Sequence, residues 1–479
     1  MKNKLFPIFL CLGVLLVAAL QTVAGQTQKP APQLPSPVAA VAQSSVTHAR
    51  LKATLKGHRK SIVEIVFSPD GASIATGSED GTVRLWDAAT GGERATLKLA
   101  KRIEDVKLVW SPDSRRIATC WYWGFHLTKE VHIWDGQTGA PVATLEGHNS
   151  IVRNVQWSPD GRVILTSADD GTAKLWDAET FALARTIEYQ RVNTSRETGS
   201  LVAAIFTRKK IPDARGVYAR FAAGGRTIVI SSFRKPTELW SVDGRRLAPL
   251  ITLAEYAALS SSQFAFYSEA FISSDGRFLA TNEREAAYIW DAHTGEQRHT
   301  FDGEKAQAFS PDGRTLLTAS WPHGRGAGFL DSADAVLRLR DARTGVTLKV
   351  LRGDMPGLNA IYWSPDGQRL AINGAGKVKA RLFDLEEGDL KAKLPYDGCS
   401  ETLFGDGASG CEPLVFSADG RVVSKLTGTL KLYDTADGRE LGTLEGTHRR
   451  AAFSPTDARL FAARGKDRKS LLLFEIPAH

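Results

Sequence analysis

The sequence predicts an all-β protein built from a repeated unit of four short antiparallel strands. Three observations support this prediction. Strands that end in an aromatic residue and an acid recur at intervals of 41 to 64 residues along the 479-residue chain. A Ser-Pro-Asp-Gly turn or a relative of it precedes each of these strands, and apolar residues alternate with polar ones around the turns.

The strand that ends in an aromatic residue and an acid gives the number of units. Clear copies are LWDAATG, which begins at Leu85, and IWDGQTG, which begins at Ile133, and weaker copies such as LRDARTG and LFDLEEG follow further along the chain. Nine units are present, and their equivalent positions are Trp86, Trp134, Trp176, Trp240, Trp290, Arg340, Phe383, Tyr433 and Phe474.

The second motif is a turn between two strands. Residues 68–71, 158–161, 310–313 and 364–367 each read Ser-Pro-Asp-Gly. Proline at the second position presets its φ angle for a type I turn, and glycine tolerates the conformation at the exit. Each motif therefore predicts a strand, a tight turn and a second strand.

A period near 45 residues with four strands per unit is typical of a β-propeller blade. We expect one closed propeller of four-stranded antiparallel blades over residues 50–477. Nine blades follow from the count, with eight or seven as alternatives. Closure predicts that residues 51–55 pair with residues 471–475, because a closed ring removes exposed sheet edges.

These motifs resemble the WD40-repeat family, and the resemblance extends from Leu51 to Glu475. In that family a His, a Ser or Thr, an Asp and the Trp form a buried hydrogen-bonded tetrad. The resemblance implies two complete tetrads here and leaves open whether Thr76 or Ser78 supplies the first hydroxyl. The remaining blades are expected to rely more on apolar packing. The implied members are His58, Thr76, Asp80 and Trp86 in the first unit, and His148, Thr166, Asp170 and Trp176 in the third.

The N-terminus predicts export. Lys2 and Lys4 precede an apolar run over residues 5–20, and small residues lead up to Gly25, so residues 1–25 are expected to be a cleaved signal peptide. Residues 26–49 form a Pro/Ala/Gln-rich linker. The protein is expected to be periplasmic or secreted, with no membrane span once it is processed. An uncleaved N-terminal anchor is the alternative.

The net charge and the turn motifs limit the classes of partner and source that we expect. Loss of the two signal lysines lowers the formal charge from +8 to +6, and both signs are mixed along the chain. This excess favours weak steering towards acidic surfaces and does not indicate nucleic acid. The turn motifs and the simple signal suggest a bacterial source, and a monomer is expected.

The longer insertions all fall in links that leave the same face of the predicted ring, at residues 121–130, 190–215, 253–263, 320–335 and 396–410. Binding residues concentrate on loops held by a rigid scaffold, so this face is the predicted binding surface. The first insert is either an exposed anchor or a local cap over the blade edge, and a solvated loop is the simpler alternative for the second. Candidate partner-binding residues are Trp121, Tyr122, Trp123, Phe125, Arg208, Lys209 and Lys210.

Cysteine usage and catalytic motifs complete the expectations. Cys399 and Cys411 flank one predicted loop and are expected to form a disulfide in an oxidising compartment, while Cys120 should be a buried small residue. G-x-S-x-G, H-E-x-x-H, C-x-x-C and Walker motifs do not occur.

The sequence therefore predicts a non-catalytic scaffold of the cell envelope that binds a protein or peptide, with no cofactor and no metal. The alternatives are a periplasmic Tol-like propeller and a propeller enzyme or cofactor carrier with its site in the central channel.

Overall fold

Nine β-sheets arranged in a ring make up the structure, a computed structural model. It describes residues 49–100, 103–123, 126–189, 217–232, 235–249, 270–283, 286–321, 335–351, 358–374, 380–394, 414–427, 429–444 and 447–476. The predicted signal peptide and nearly all of the linker lie outside these residues and stay predictions.

Each sheet is one antiparallel blade, and blades 1 to 4 follow the first strand in chain order. Blade 1 contains β2 (Ile62–Phe67), β3 (Ser73–Ser78), β4 (Thr82–Asp87) and β5 (Glu93–Lys98). Blade 2 contains β6 (Asp105–Trp110), β7 (Arg116–Trp123), the short β8 (His126–Leu127), β9 (Val131–Asp135) and β10 (Pro141–Leu145). Blade 3 contains β11 (Val152–Trp157), β12 (Val163–Ala168), β13 (Thr172–Asp177) and β14 (Leu183–Glu188), and blade 4 contains β15 (Val217–Ala222), a 3₁₀ turn (Ala223–Gly225), β16 (Thr227–Ser232), β17 (Lys235–Ser241) and β18 (Arg246–Pro249).

Blades 5 to 9 continue the pattern, and β1 (Arg50–Leu55) belongs to the last of them. Blade 5 contains β19 (Ala270–Ile272), β20 (Phe278–Glu283), β21 (Ala286–Asp291) and β22 (Gln297–Asp302); blade 6 contains β23 (Lys305–Phe309), β24 (Thr315–Ser320), β25 (Val336–Asp341) and β26 (Thr347–Leu351). Blade 7 contains β27 (Leu358–Trp363), β28 (Arg369–Gly374), β29 (Arg381–Asp384) and β30 (Asp389–Lys393); blade 8 contains β31 (Val415–Phe416), β32 (Val422–Thr427), β33 (Thr429–Asp434) and β34 (Glu440–Leu444). Blade 9 contains β35 (Thr447–Phe453), β36 (Leu460–Gly465), β37 (Leu471–Glu475) and β1.

The ring closes through blade 9, as the sequence predicts. The N-terminal strand β1 pairs with the C-terminal strand β37, with Leu55 opposite Leu471 and Leu51 opposite Phe474. A backbone hydrogen bond then joins blade 9 to blade 1. The Ile62 amide donates to the Arg468 carbonyl at 2.7 Å. Closure of this kind leaves no blade at the end of a row.

Apolar packing between neighbouring blades forms the core. Among the described residues, buried side chains form nine clusters, and each cluster joins two adjacent blades. One of them packs Leu471 and Leu473 of blade 9 against Ile74 and Trp86 of blade 1. Nine clusters between nine blades complete a ring, so the expected count of nine is confirmed and the eight- and seven-blade alternatives are wrong.

Candidate interaction surfaces

The two faces of the ring differ in the length of their links. Each turn between the first and second strands of a blade, and between its third and fourth strands, contains four to six residues. We call the side that carries these turns the turn face. Links between the second and third strands, or from one blade to the next, leave the opposite side, the loop face. One of them extends from β14 to β15 over residues 189–216.

Local hydrogen bonds of backbone and side-chain groups hold the turns of the turn face. In the first Ser-Pro-Asp-Gly turn, the Gly71 amide donates to the Ser68 carbonyl at 2.8 Å, and Gly71 has a φ of 71°. After the strand that ends in Trp-Asp, Asp87 accepts hydrogen bonds from the Thr90 amide at 2.7 Å and from the Thr90 hydroxyl at 2.9 Å. These bonds satisfy the turn backbone locally and leave little freedom on this side.

A buried hydrogen-bonded chain connects four residues of blade 1. The Trp86 indole donates to Thr76 Oγ1 at 2.8 Å, and Thr76 Oγ1 lies 2.8 Å from His58 Nε2. His58 Nδ1 lies 3.1 Å from Asp80 Oδ2. Because an ionised carboxylate only accepts, His58 donates from Nδ1, and in the neutral imidazole Nε2 is then the acceptor for the Thr76 hydroxyl.

Blade 3 repeats this chain. The Trp176 indole donates to Thr166 Oγ1 at 2.9 Å, and Thr166 Oγ1 lies 2.7 Å from His148 Nε2. His148 Nδ1 is 3.0 Å from Asp170 Oδ2. The structure therefore brings together both predicted sets of four residues.

The hydroxyl left open by the sequence is that of Thr76. Ser78 donates instead to the Lys60 carbonyl at 3.1 Å. Burial raises the pKa of Asp80, but hydrogen bonds from His58, Thr82 and the Arg59 amide outweigh burial, so the pKa lies well below its ordinary value. The polar side-chain atoms of this tetrad all have hydrogen-bond partners within the blade, so the ionised carboxylate of Asp80 stabilises the fold.

Blade 6 replaces the tetrad with a buried ion pair. Glu304 follows Phe301 by three residues, as His58 follows Leu55, and Arg340 occupies the position of Trp86. Arg340 donates to Glu304 Oε2 at 2.9 Å and to Oε1 at 2.6 Å, while the Thr318 hydroxyl donates to Oε2 at 2.6 Å. Blade 6 therefore combines a buried ion pair with the apolar packing that is expected of such blades.

Two further contacts hold the ion pair in place. The Arg340 guanidinium lies 4.3 Å from the centre of the Phe301 ring, which belongs to blade 5. Arg338 approaches Glu304 Oε1 at 3.4 Å. Burial raises the pKa of Glu304, but the hydrogen bonds from Arg340 and Thr318 outweigh it and hold the pKa below its ordinary value.

Blades 2 and 5 show the hydroxyl-to-indole half of the tetrad among their described residues. The Trp134 indole donates to Thr119 Oγ1 at 3.0 Å, and the Trp290 indole donates to Thr281 Oγ1 at 2.8 Å. The hydroxyl-to-indole contact thus extends beyond the two blades with complete tetrads.

The aromatic insert of blade 2 extends the blade towards the loop face. Strand β7 continues to Trp123 and pairs with β8, so that Trp123 lies opposite His126 in a short hairpin. Trp121 is half-buried, packs against the core between blades 1 and 2, and stacks on His132 with ring centres 4.9 Å apart. Trp121 therefore contributes to blade packing, and its role as a partner anchor stays a prediction.

The structure does not describe the side chains of several residues that the sequence predicts to bind a partner or to form a disulfide. Only the backbone is described at Tyr122 and Trp123. Cys120, by contrast, is a buried free thiol whose pKa burial raises to about 12, so it is expected to be unreactive. The predicted residues outside the described ranges are Phe125, Arg208, Lys209, Lys210, Cys399 and Cys411.

Charged side chains meet on the first strands of blades 9, 1 and 2. Arg450 Nη1 lies 3.6 Å from Glu64 Oε2. Burial raises the pKa of Glu64 and also that of Asp105, and the charges of Arg450 and Lys107 offset part of this effect. This mixed cluster is the polar feature that a site in the central channel would require.

Two searches of the described residues were negative. They contain no group of three or more His, Cys, Asp or Glu side chains arranged to hold a metal ion. In the same part of the chain, no helix has the length and apolar character needed to cross a membrane.

Known proteins share the repeat. The family model "WD domain, G-beta repeat" matches residues 49–87 and 139–177. Each matched segment extends from the outer strand of one blade through the third strand of the next, and each contains one complete tetrad. The sequence repeat is thus offset from the blade by one strand, which explains why β1 completes blade 9.

Two curated proteins also match parts of the chain. The protein is 30% identical over 161 residues to Protein HIR1 of Cryptococcus neoformans var. neoformans serotype D, over 30% of this chain and 18% of that protein. It is 30% identical over 228 residues to nuclear distribution protein PAC1 of Arthroderma otae, over 42% of this chain and 45% of that protein. The chain thus spans less than half the length of these two fungal relatives. Together, these matches support the WD40 repeat family.

A solved structure also resembles the chain. The crystal structure of the computationally designed Ika8 protein aligns with a TM-score of 0.49 and 16% sequence identity, over 89% of this chain and all of the designed one.

Proposed function

We propose that this protein is a non-catalytic scaffold that binds a protein or peptide partner through its loop face. WD40-type relatives support the general role, since such propellers act as interaction modules. The complete tetrads support it as well, because the residues that most resemble catalytic groups are fully occupied in holding blades 1 and 3 together.

The observation that carries the proposal is the asymmetry between the two faces. The turn face has links of four to six residues, while the loop face has links of up to 28 residues and the β7–β8 hairpin. Rigid blades that present long links on one side only are the usual arrangement for recognition. Tolerance of loop growth alone would have lengthened links on both sides.

The cellular location that we propose rests on the N-terminal sequence. A basic start, an apolar run and small residues before position 26 favour export to the periplasm or the outside of a bacterial cell. The partner would then be another protein of the cell envelope.

Site-specific photo-crosslinking tests the choice of face. Lys129 is exposed on the loop face of blade 2, and Gln137 is exposed on the turn face of the same blade. A photoreactive amino acid at Lys129 should capture the native partner in intact cells, whereas the same group at Gln137 should not. The two positions share a blade, so expression and folding are matched.

Two results would contradict the proposal. Capture from Gln137 but not from Lys129 would move the binding surface to the turn face. Turnover of a substrate by the purified protein that is lost on substitution of Glu64 or Arg450 would replace the scaffold with a channel enzyme.

The charged cluster at Glu64 and Arg450 supports a second candidate function, the binding of a small ligand on the innermost strands. Its partly buried carboxyl groups have raised pKa values and so favour an added positive charge. Thermal-shift screening against small amines, with Glu64→Gln as the matched variant, separates this role from that of the loop face.

A further inference from the structure

The loop face carries a cluster of exposed basic side chains where blades 9 and 1 meet. Two segments supply it: the link from β1 to β2 over residues 56–61, and the turn from β36 to β37 over residues 466–470. The Ile62 amide at the end of the link donates to the Arg468 carbonyl of the turn at 2.7 Å, so the two segments are adjacent. We call their exposed cations the basic patch, which consists of Lys56, Arg59, Lys60, Lys466, Arg468 and Lys469.

The side chains of the basic patch are unpaired. None of them forms an ion pair or a hydrogen bond with another described residue. The carboxylate of Asp467 accepts from the Ser470 amide at 2.9 Å and from the Ser470 hydroxyl at 2.7 Å, and thereby closes its own turn. Even with Asp467, Glu79 and Asp80 counted, the patch keeps an excess of positive charge.

The tetrad does not require these charges. The residue after the tetrad histidine donates its amide to the tetrad aspartate in both complete blades, from Arg59 to Asp80 at 2.7 Å and from Asn149 to Asp170 at 2.8 Å. The backbone of the two links is therefore held in the same way. In the link before blade 3, however, the positions of Lys56, Arg59 and Lys60 are occupied by Glu146, Asn149 and Ser150.

Arg468 has a backbone conformation that favours glycine. Its φ is 62°, and its amide donates to the Gly465 carbonyl at 2.8 Å. Gly81 and Gly171 occupy the equivalent position in blades 1 and 3, with φ values of 86° and 81°. A residue with a Cβ atom costs free energy in this left-handed region, whereas glycine does not.

Other described residues in this region have a contact that accounts for their side chains. Ser114, Phe181 and Arg450 are non-glycine residues with positive φ, and each side chain contacts a neighbouring blade. The side chain of Arg468 makes no such contact with the described residues. The fold alone therefore favours glycine at position 468, and the arginine side chain is free to bind a partner.

Charge complementarity identifies the chemistry of that partner. Guanidinium groups bind carboxylates through two parallel hydrogen bonds, and ammonium groups bind them as point charges. The same face also exposes Glu130 and Glu146 on the side of blades 2 and 3. A flat anionic membrane would meet these carboxylates as well as the basic patch, whereas a peptide can lie on the patch alone.

We propose that the basic patch binds an acidic peptide segment, rich in Asp and Glu, of the partner protein. This inference rests on the proposed binding role of the loop face and adds the chemistry of the segment that binds there.

Fluorescence anisotropy with labelled synthetic peptides tests the proposal. The probes are a peptide of alternating Glu and Gly residues and the same peptide with Gln in place of Glu. At about 150 mM salt, where charges are screened beyond about 8 Å, the acidic peptide should bind to the protein and the neutral peptide should not. At about 1 M salt, where the screening length falls to about 3 Å, the binding should be lost.

A variant that copies blade 3 separates binding from folding. Arg59→Asn/Lys60→Ser/Arg468→Gly removes three cations of the patch and should weaken binding of the acidic peptide by about tenfold or more. Its melting temperature should not fall, because the two links share their backbone hydrogen bonds and glycine relieves the conformation at position 468.

A second variant controls for net charge. Arg162→Gln/Arg314→Gln/Arg421→Gln removes the same number of cations from exposed positions that follow Asp-Gly turns on the turn face. It should bind the acidic peptide as tightly as the wild-type protein does.

Three outcomes would overturn the proposal: equal binding of the acidic and neutral peptides, equal weakening by the two triple variants, or binding of phosphatidylglycerol vesicles without binding of the acidic peptide. Crosslinking separates this failure from that of the proposed function. Capture of the native partner from Lys129 without binding of the acidic peptide would remove this inference alone, whereas capture from Gln137 alone would remove the proposed function.

Discussion

Blades 1 and 6 solve the same structural problem with different chemistry. Both place a threonine hydroxyl, Thr76 or Thr318, at the centre of a buried polar group. In blade 1 this hydroxyl connects an indole to an imidazole, and a carboxylate ends the chain. In blade 6 the hydroxyl donates directly to Glu304, and Arg340 takes the place of the indole. The comparison shows that the repeat requires a satisfied buried hydroxyl at this point and accepts either of two sets of partners.

The largest expected effect comes from breaking the blade 6 ion pair. Glu304→Ala leaves the guanidinium of Arg340 buried beside Phe301 without a carboxylate, and we expect a loss of about 3–5 kcal/mol in the free energy of unfolding. Urea denaturation measures it. A loss below about 1 kcal/mol would mean that solvent already screens the pair.

Exchange of both residues of the ion pair tests whether the two sets of partners are interchangeable. Glu304→His and Arg340→Trp each leave one partner unmatched, whereas the double variant restores the indole and imidazole of blade 1. We expect the double variant to be more stable than the sum of the two single losses predicts, with a coupling of about 1–3 kcal/mol. Additive losses would show that the two sets of partners are not interchangeable.

An intermediate effect is expected from the hydroxyl groups themselves. Thr76→Val leaves both the Trp86 indole and His58 Nε2 without a partner in the core, so we expect a loss of about 2–3 kcal/mol. Thr318→Val should cost about 1 kcal/mol, since Glu304 keeps Arg340. Thermal or urea unfolding of the two variants gives the comparison.

Ser78→Ala is the control for the blade 1 variant. It removes a neighbouring hydroxyl that donates to the Lys60 carbonyl and accepts from the Asp80 amide, but that contacts neither Trp86 nor His58, so its cost should be clearly smaller than that of Thr76→Val. An equal or larger cost would assign the central hydroxyl to Ser78.

These comparisons also show what the sequence can and cannot predict. Turn motifs and strand endings predicted nine blades and the closure of β1 on β37, because both depend on local backbone chemistry that each repeat carries in full. Thr76 and Ser78 could not be distinguished, since residues two apart share a face of a strand. Only the three-dimensional register brings Thr76 to the indole.

The ion pair of blade 6 was missed for a different reason. Arg340 was recognised at the position of the tryptophan, but its partner Glu304 lies 36 residues away and resembles no family motif. The spacing of three residues from Phe301, which matches that from Leu55 to His58, was the signal that could have found it.

The pH dependence of stability separates the two polar sets. Glu304 and Asp80 both have lowered pKa values in the folded protein, so each stabilises the fold above its ordinary pKa and loses that contribution as the pH falls through the lowered value. The ordinary values are 4.5 for Glu304 and 3.8 for Asp80. The stability difference between wild type and Glu304→Gln should therefore be constant from pH 7 to about pH 5 and begin to shrink below 4.5. With Asp80→Asn the difference should hold until the pH passes 3.8, and the reverse order in urea titrations would contradict this assignment.

The smallest expected effect lies on the outermost strands, where blade 1 has Arg94 and blade 6 has Leu348 at the equivalent position. Arg94 pairs with Asp87 at the surface, and such pairs contribute less than about 1 kcal/mol. Asp87 also keeps its hydrogen bonds from Thr90, so Arg94→Leu should change the free energy of unfolding by less than that amount. Leu348→Arg should be equally neutral, because the Leu348 side chain is 55% exposed. If urea unfolding finds both exchanges neutral, the stability of the fold does not decide which residue occupies this position. A loss of more than about 1 kcal/mol for Leu348→Arg would instead make Leu348 part of the packing of its own blade.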